Sequence, residues 1–183
     1  SRLSSGKIAV PFVNDARLLV SSGMTGATGN IYCGLHEFED MGFVLHFLKP
    51  DELFVDVGAN VGTYTILAGK VAKAKVVCFE PIPSTYEALC NNIKLNHIEE
   101  TVIAHNIGLG SSNSTLTMTA DSDAMNHITP KGYSSSVSDK KENEGTSTIE
   151  VQVKTLDDIL QENIPSCIKI DVEGFETEAI SGA

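Results

Sequence analysis

The feature that most constrains the fold is a strand that runs straight into a glycine turn. Leu53-Phe54-Val55-Asp56-Val57 is short, rich in β-branched residues and apolar at successive positions, and Gly58-Ala59-Asn60-Val61-Gly62 follows it directly. A strand apolar on both faces is buried on both sides, which is the environment of a parallel sheet rather than of a half-solvated antiparallel one. The pattern recurs downstream. Thr63 to Val71 reads as a helix and Lys75 to Phe79 as a second buried strand; Tyr86, Leu89, Cys90 and Ile93 then give a helical stripe. Ser84 and Glu87 have the spacing of a capping box for that helix, and Thr101 to Ile107 is the third strand. Strand, turn, helix, strand, helix, strand predicts an α/β fold, with a central, mostly parallel sheet and helices on both faces.

Flanking segments complete the outline. Ile8 to Val10 and Leu18 to Val20 read as strands joined by turns, so residues 1–35 form an N-terminal extension and residues 36–183 the main domain. Met41, Val44, Leu45 and Leu48 mark a helix that Pro50 ends. The stretch from Ser111 to Thr148 is polar; Thr115 to Thr119 and Ile149 to Val153 alternate and should pair as an inserted β-hairpin, with Ser134 to Ser147 as a loop. Leu156, Ile159 and Leu160 mark a short helix, and Cys167 to Val172 another buried strand. Thirteen basic against twenty-four acidic residues leave a net charge of −11, a balance that repels phosphate backbones and argues against nucleic-acid or anionic-membrane partners. Apolar runs are strand-length, short of a membrane span. Cys33, Cys78, Cys90 and Cys167 are far apart and without C-x-x-C spacing, so they read as buried free thiols of a reducing, cytoplasmic protein rather than a disulfide framework or zinc site.

In an open parallel sheet, ligands bind beyond the carboxyl ends of the strands, where strand order reverses. Three groups fall there: the turn from Gly58 to Gly62; Glu80, which ends the second strand 22 residues after Gly58; and Asp171 with Glu173. Glycines bring backbone N–H groups close to a ligand, and an acid at that distance suits the two hydroxyls of a ribose. A nucleoside-containing cofactor follows. The dinucleotide pattern needs a second glycine where this chain has Asn60, and three converging carboxylates disfavour a pyrophosphate. S-adenosylmethionine, with its sulfonium and ammonium, suits an acidic cleft better. An NAD(P)-dependent oxidoreductase and a non-catalytic cofactor-fold module are the alternatives.

These segments also resemble a known family. Phe54 to Tyr64 is similar to the first motif of the FkbM family of S-adenosylmethionine-dependent methyltransferases, Phe79-Glu80-Pro81-Ile82-Pro83 to its second, Leu156-Asp157-Asp158 to a segment before a strand, and Ile168 to Glu176 to its most distinctive block. The resemblance spans about residues 30 to 183. It implies a Rossmann-like class I methyltransferase fold and O-methylation of a hydroxyl on a sugar, polyketide or other small metabolite. It further implies that Asp56, Gly58, Asn60 and Gly62 surround the methionine part of the cofactor, that Glu80 holds the ribose, that Asn106, Ile107 and Gly108 lie along the adenine, and that Ala59, Thr63, Tyr64 and Pro81 also belong to the cofactor site. Asp171 and Glu173 would face the methyl group and its acceptor, and Glu37 matches an acid near the cofactor. This fold normally carries three further strands, so the resemblance implies a domain incomplete at its C-terminus. Asp171 is the candidate general base, with pairing to Lys169 or to the donor ammonium as its other role; His127 is a candidate beside the acceptor. Asp171 and Glu173 offer a metal two oxygens and nothing supplies a third, so no metal is expected.

Overall fold

Four parallel strands form the centre of the molecule: β3 (Leu53–Val57), β4 (Lys75–Phe79), β5 (Val102–His105) and β9 (Cys167–Ile170), in the order β5-β4-β3-β9. The computed structural model describes residues 6–21, 28–119 and 148–183. His127 and the Ser134–Ser147 segment lie outside them. Side chains alternate across the sheet, so the central strands β3 and β4 each feed two cores. Phe54, Val76 and Cys78 pack on one face with residues of α2 (Phe38–Phe47), α3 (Thr63–Ile66) and α4 (Pro83–Leu95). Val55, Val57, Val77 and Phe79 pack on the other with Leu156 and Leu160 of α5 (Leu156–Leu160) and Ala179 of α6 (Glu176–Ser181). The expected α/β architecture, with helices on both faces, is the observed one.

Register matters for the site. Asp56 is level with Cys78 on β4 and with Lys169 on β9. The chain builds outward from β3 through β4 to β5 and then returns to the far side of β3, so the reversal of strand order falls between β3 and β9.

A hairpin of β1 (Ile8–Pro11) and β2 (Arg17–Val20) precedes the sheet, followed by the short α1 (Thr28–Cys33). The hairpin is fastened to α4. Asn92 Oδ1 accepts the Leu19 N–H at 2.7 Å while its Nδ2 donates to the Val61 carbonyl at 2.8 Å, and Asn96 binds both the N–H and the carbonyl of Arg17. Asn92 is fully buried. Asn92→Ala therefore leaves a half-buried N–H and a buried C=O unpartnered, and urea unfolding should show a loss of about 2–4 kcal/mol.

The inserted hairpin pairs as predicted. β7 (Ser114–Thr119) and β8 (Thr148–Lys154) run antiparallel with Leu116 opposite Val151. A two-residue strand, β6 (Gly108–Leu109), joins β8 in parallel and was not foreseen.

Several local expectations are corrected. The helix after β4 has no capping box: Pro83 takes its first position, where a fixed φ and a missing N–H are harmless, and Ser84 lies inside it. The N-cap Ile82 instead donates its N–H to Glu80 Oε1 at 2.9 Å. The third strand is Val102–His105 rather than Thr101 to Ile107, and just past its end the Asn106 side-chain Nδ2 donates to the carbonyls of Glu80 and Pro81. The helix from Thr63 widens into a π-helical turn over Leu67–Val71, closed by Ala72 N–H donating to the Leu67 carbonyl. Cys33 is exposed rather than buried, since α1 packs only part of its surface; Cys78 is buried, and burial raises its thiol pKa strongly.

Candidate functional site

The glycine turn begins where β3 meets both neighbours. Gly58 and Ala59 donate their N–H groups to the Phe79 carbonyl of β4, and Asp171 N–H donates to the Val57 carbonyl from the β9 side. Gly58 has φ +75, and a Cβ there would collide with the Asp171 carbonyl oxygen. Gly62, at φ +94, would place a Cβ 2.6 Å from Leu89 Cδ1. Gly58 is thus required by close approach to backbone as well as by its angle, and Gly62 above all by its angle, since the Leu89 methyl ends a flexible side chain. Between them, Asn60 sits at φ +52, its Oδ1 accepting the Val61 N–H at 2.8 Å.

Glu80 is a buried acid just past the end of β4. Only 6% of its surface is exposed. Its Oε2 accepts the Asn60 N–H and its Oε1 the Ile82 N–H, each at 2.9 Å. One acceptor position remains on each oxygen. Burial raises the Glu80 pKa, against the pull of those two N–H donors. A carboxylate pinned this way, tied to the glycine turn and still able to accept twice, fits the vicinal hydroxyls of a ribose. The residues present therefore fit an adenosine-containing cofactor.

Asp56 lies deeper than expected. It is fully buried beneath the turn, with Oδ2 accepting the Thr65 hydroxyl at 2.7 Å and Oδ1 lacking any hydrogen-bond donor. Its countercharge is Lys169, whose Nζ stands 3.4 Å from Asp56 Oδ1 and 3.4 Å from Asp171 Oδ2. The same Nζ donates to the Gly58 carbonyl at 2.9 Å and lies 5.3 Å from the centre of the Tyr64 ring. The cleft is accordingly less acidic than its carboxylates alone suggested. A lysine level with Asp56 in the sheet register neutralises one of them.

Glu37 reaches the same cluster from the segment before α2, accepting the Tyr64 hydroxyl at 2.7 Å. Burial and that bond raise the Tyr64 pKa, so the phenol stays protonated. Thr63 and Ala59 are buried along the turn and first helical residue, and Pro81 follows Glu80 at the rim. Asn106 is committed to backbone carbonyls, Ile107 packs in the second core, and Gly108 pairs opposite Val153. Glu173 is exposed at φ +44, and its strand-end turn continues through Gly174 at φ +86. The structure thus gathers the turn, Glu37, Glu80 and Asp171 around the carboxyl ends of β3, β4 and β9. Two contributors escaped the sequence reading: Thr65, whose hydroxyl serves Asp56, and Asn92, which fixes the Val61 carbonyl. A polar residue within the apolar stripe of α4 was the available sign of the second. Among the described residues no group of three or more His, Cys, Asp or Glu side chains is placed to hold a metal, and no helix is long and apolar enough to cross a membrane.

Residues 56–183 match the methyltransferase FkbM domain. The methyltransferase sdnD of Sordaria araneosa is 31% identical, over 79% of this chain and 65% of that protein. The hexuronic acid methyltransferase AglP of Haloferax volcanii is 30% identical, over 76% of this chain and 53% of its own length. The chain thus spans between about half and two thirds of these relatives. Among solved structures, P. horikoshii TYW2 in complex with MeSAdo aligns with a TM-score of 0.47 at 25% identity, over 57% of this chain and 37% of that one.

Proposed function

Because the chain belongs to the FkbM methyltransferase family, we propose that its glycine turn and Glu80 hold S-adenosylmethionine and that the whole protein methylates a hydroxyl of a sugar, polyketide or other small metabolite. The observation that carries this reading is the Glu80 carboxylate, buried, fixed by two backbone N–H groups and still able to accept from two hydroxyls. A relative named for a hexuronic acid supports a sugar-like acceptor.

When bound, S-adenosylmethionine supplies an already electrophilic methyl group. The protein's share is then alignment, and holding two reactants in line contributes roughly 7–11 kcal/mol in well-oriented cases. Gly58 and Gly62 let the backbone approach the ligand, while Glu80 fixes its ribose. Asp171, on the end of β9 with its side chain 63% exposed, takes the proton from the acceptor hydroxyl. His127 is a second candidate for contact with the acceptor, and Glu173 belongs to the acceptor side of the cleft.

Calorimetric titration with S-adenosylhomocysteine, run beside NADH on one preparation, tests the cofactor. Micromolar binding of S-adenosylhomocysteine alone is the expected result; binding of NADH alone would favour the oxidoreductase. Asp171→Asn tests the base. Turnover should fall by about 100-fold or more with cofactor affinity nearly intact, whereas equal losses in both would move Asp171 to a binding role.

A further inference from the structure

Lys169 makes more contacts in the site than any ligand-facing group needs for itself. Its ammonium touches the buried Asp56, the Gly58 carbonyl, the Asp171 carboxylate and the face of Tyr64. These partners come from four places: the carboxyl end of β3, the turn after it, the residue just past β9 and the first turn of α3. Only 17% of the lysine side chain is exposed, against 63% of the Asp171 side chain and none of the Asp56 side chain. A long side chain would ordinarily sample many rotamers. Here the buried Asp56 carboxylate, whose Oδ1 has no hydrogen-bond donor, holds its tip, and the Tyr64 ring, itself held by Glu37, lies beside it.

We infer that Lys169 is the positioning residue of this site: anchored on Asp56, it holds the exposed Asp171 carboxylate and the glycine turn in one fixed geometry. Asp171 without it would swing freely in solvent. The turn would lose the bond that ties the Gly58 carbonyl to β9, the strand on the other side of the point where strand order reverses. The inference rests on the proposed cofactor site only where ligand affinity is measured.

The first test needs no ligand. Amide hydrogen exchange is followed at Gly58 and Asp171, whose N–H groups bond to Phe79 and Val57, with Glu80, bonded to His105, as the internal reference. Lys169→Met should speed exchange at Gly58 and Asp171 by about tenfold relative to Glu80, and Lys169→Arg should restore most of the protection. Should Lys169→Met alone fail to fold, the double variant Asp56→Asn/Lys169→Met removes both buried charges, keeps an acceptor for Thr65 and gives the same comparison. A uniform rise at all three amides, or no change at Gly58 and Asp171, would overturn the inference. In the second test, S-adenosylhomocysteine affinity should fall about tenfold in Lys169→Met and recover most of that loss in Lys169→Arg; unchanged affinity in Lys169→Met would count against its holding the turn. A wild-type protein that fails to bind S-adenosylhomocysteine would sink the cofactor reading and leave the exchange experiment to decide the role of Lys169.

Discussion

Gly58→Ala should lower stability by about 2–5 kcal/mol and abolish measurable S-adenosylhomocysteine binding. Two effects add. A side chain at φ +75 costs about 1–2 kcal/mol, and a methyl group driven against the Asp171 carbonyl oxygen adds about 1–3 kcal/mol of overpacking. Relief requires the ends of β3 and β9 to separate, which opens the turn that the ligand would contact. Gly174→Ala is the matched control: its φ is +86, but a Cβ there meets nothing within 4 Å, so it carries backbone strain alone. Urea unfolding of the pair should therefore show the larger loss at position 58, with ligand binding kept in Gly174→Ala. Equal losses would mean that the contact with β9 carries no weight.

Glu80→Gln should weaken S-adenosylhomocysteine binding by about 10- to 100-fold, the range for losing one or two charge-assisted bonds. Glutamine keeps one acceptor oxygen, but its NH2 must face the N–H of either Asn60 or Ile82, leaving that donor unpaired. The wild-type acid also carries a pH signature. Burial raises the folded-state pKa of Glu80 above its ordinary value of 4.5. Between the unfolded and folded values the folded chain holds more protons, so this group's contribution to stability declines as pH rises through that window. Binding has the opposite sign, because the hydroxyls need the charged form. Affinity should fall as pH drops through the raised value, at a higher pH than for an ordinary glutamate. Titrations from neutral to mildly acid pH should show this slope in the wild type and a flat line in Glu80→Gln; a flat wild-type profile would remove Glu80 from the ligand.

Sequence patterning carried the sheet and not the fastenings. The strands β3 and β4 were legible because β-branched residues apolar on both faces have few alternatives to a buried parallel strand. The inserted hairpin was legible because Leu116 and Met118 alternate against Ile149 and Val151, and a period of two fixes register. What failed was local and polar. Pro83 overrode the Ser84–Glu87 pattern because a proline at the first helical position leaves no role for a cap one residue later. Gly108–Leu109 is too short for any periodicity and exists only because β8 arrives beside it. At the site, Glu80 and Gly58 were visible from spacing. The depth of Asp56 and its pairing with Lys169 depend instead on which residues of β3 and β9 lie level, and strands more than a hundred positions apart reveal that only once paired.

That separation also bears on the order in which the molecule is built. Lys169 and the Gly58 carbonyl it binds are 111 positions apart, and at roughly 5–20 residues per second of synthesis β3 waits about 5–20 s for its second neighbour. Until β9 docks, one edge of β3 is unpaired and the glycine turn lacks the bonds that Asp171 and Lys169 bring from that side. Loop closure over so long a span makes this pairing a late event in refolding too. A small molecule seated between β3 and β9 would then act as a clasp on the last seam to close, and its absence would be felt first in how quickly a newly made chain stops exposing that edge.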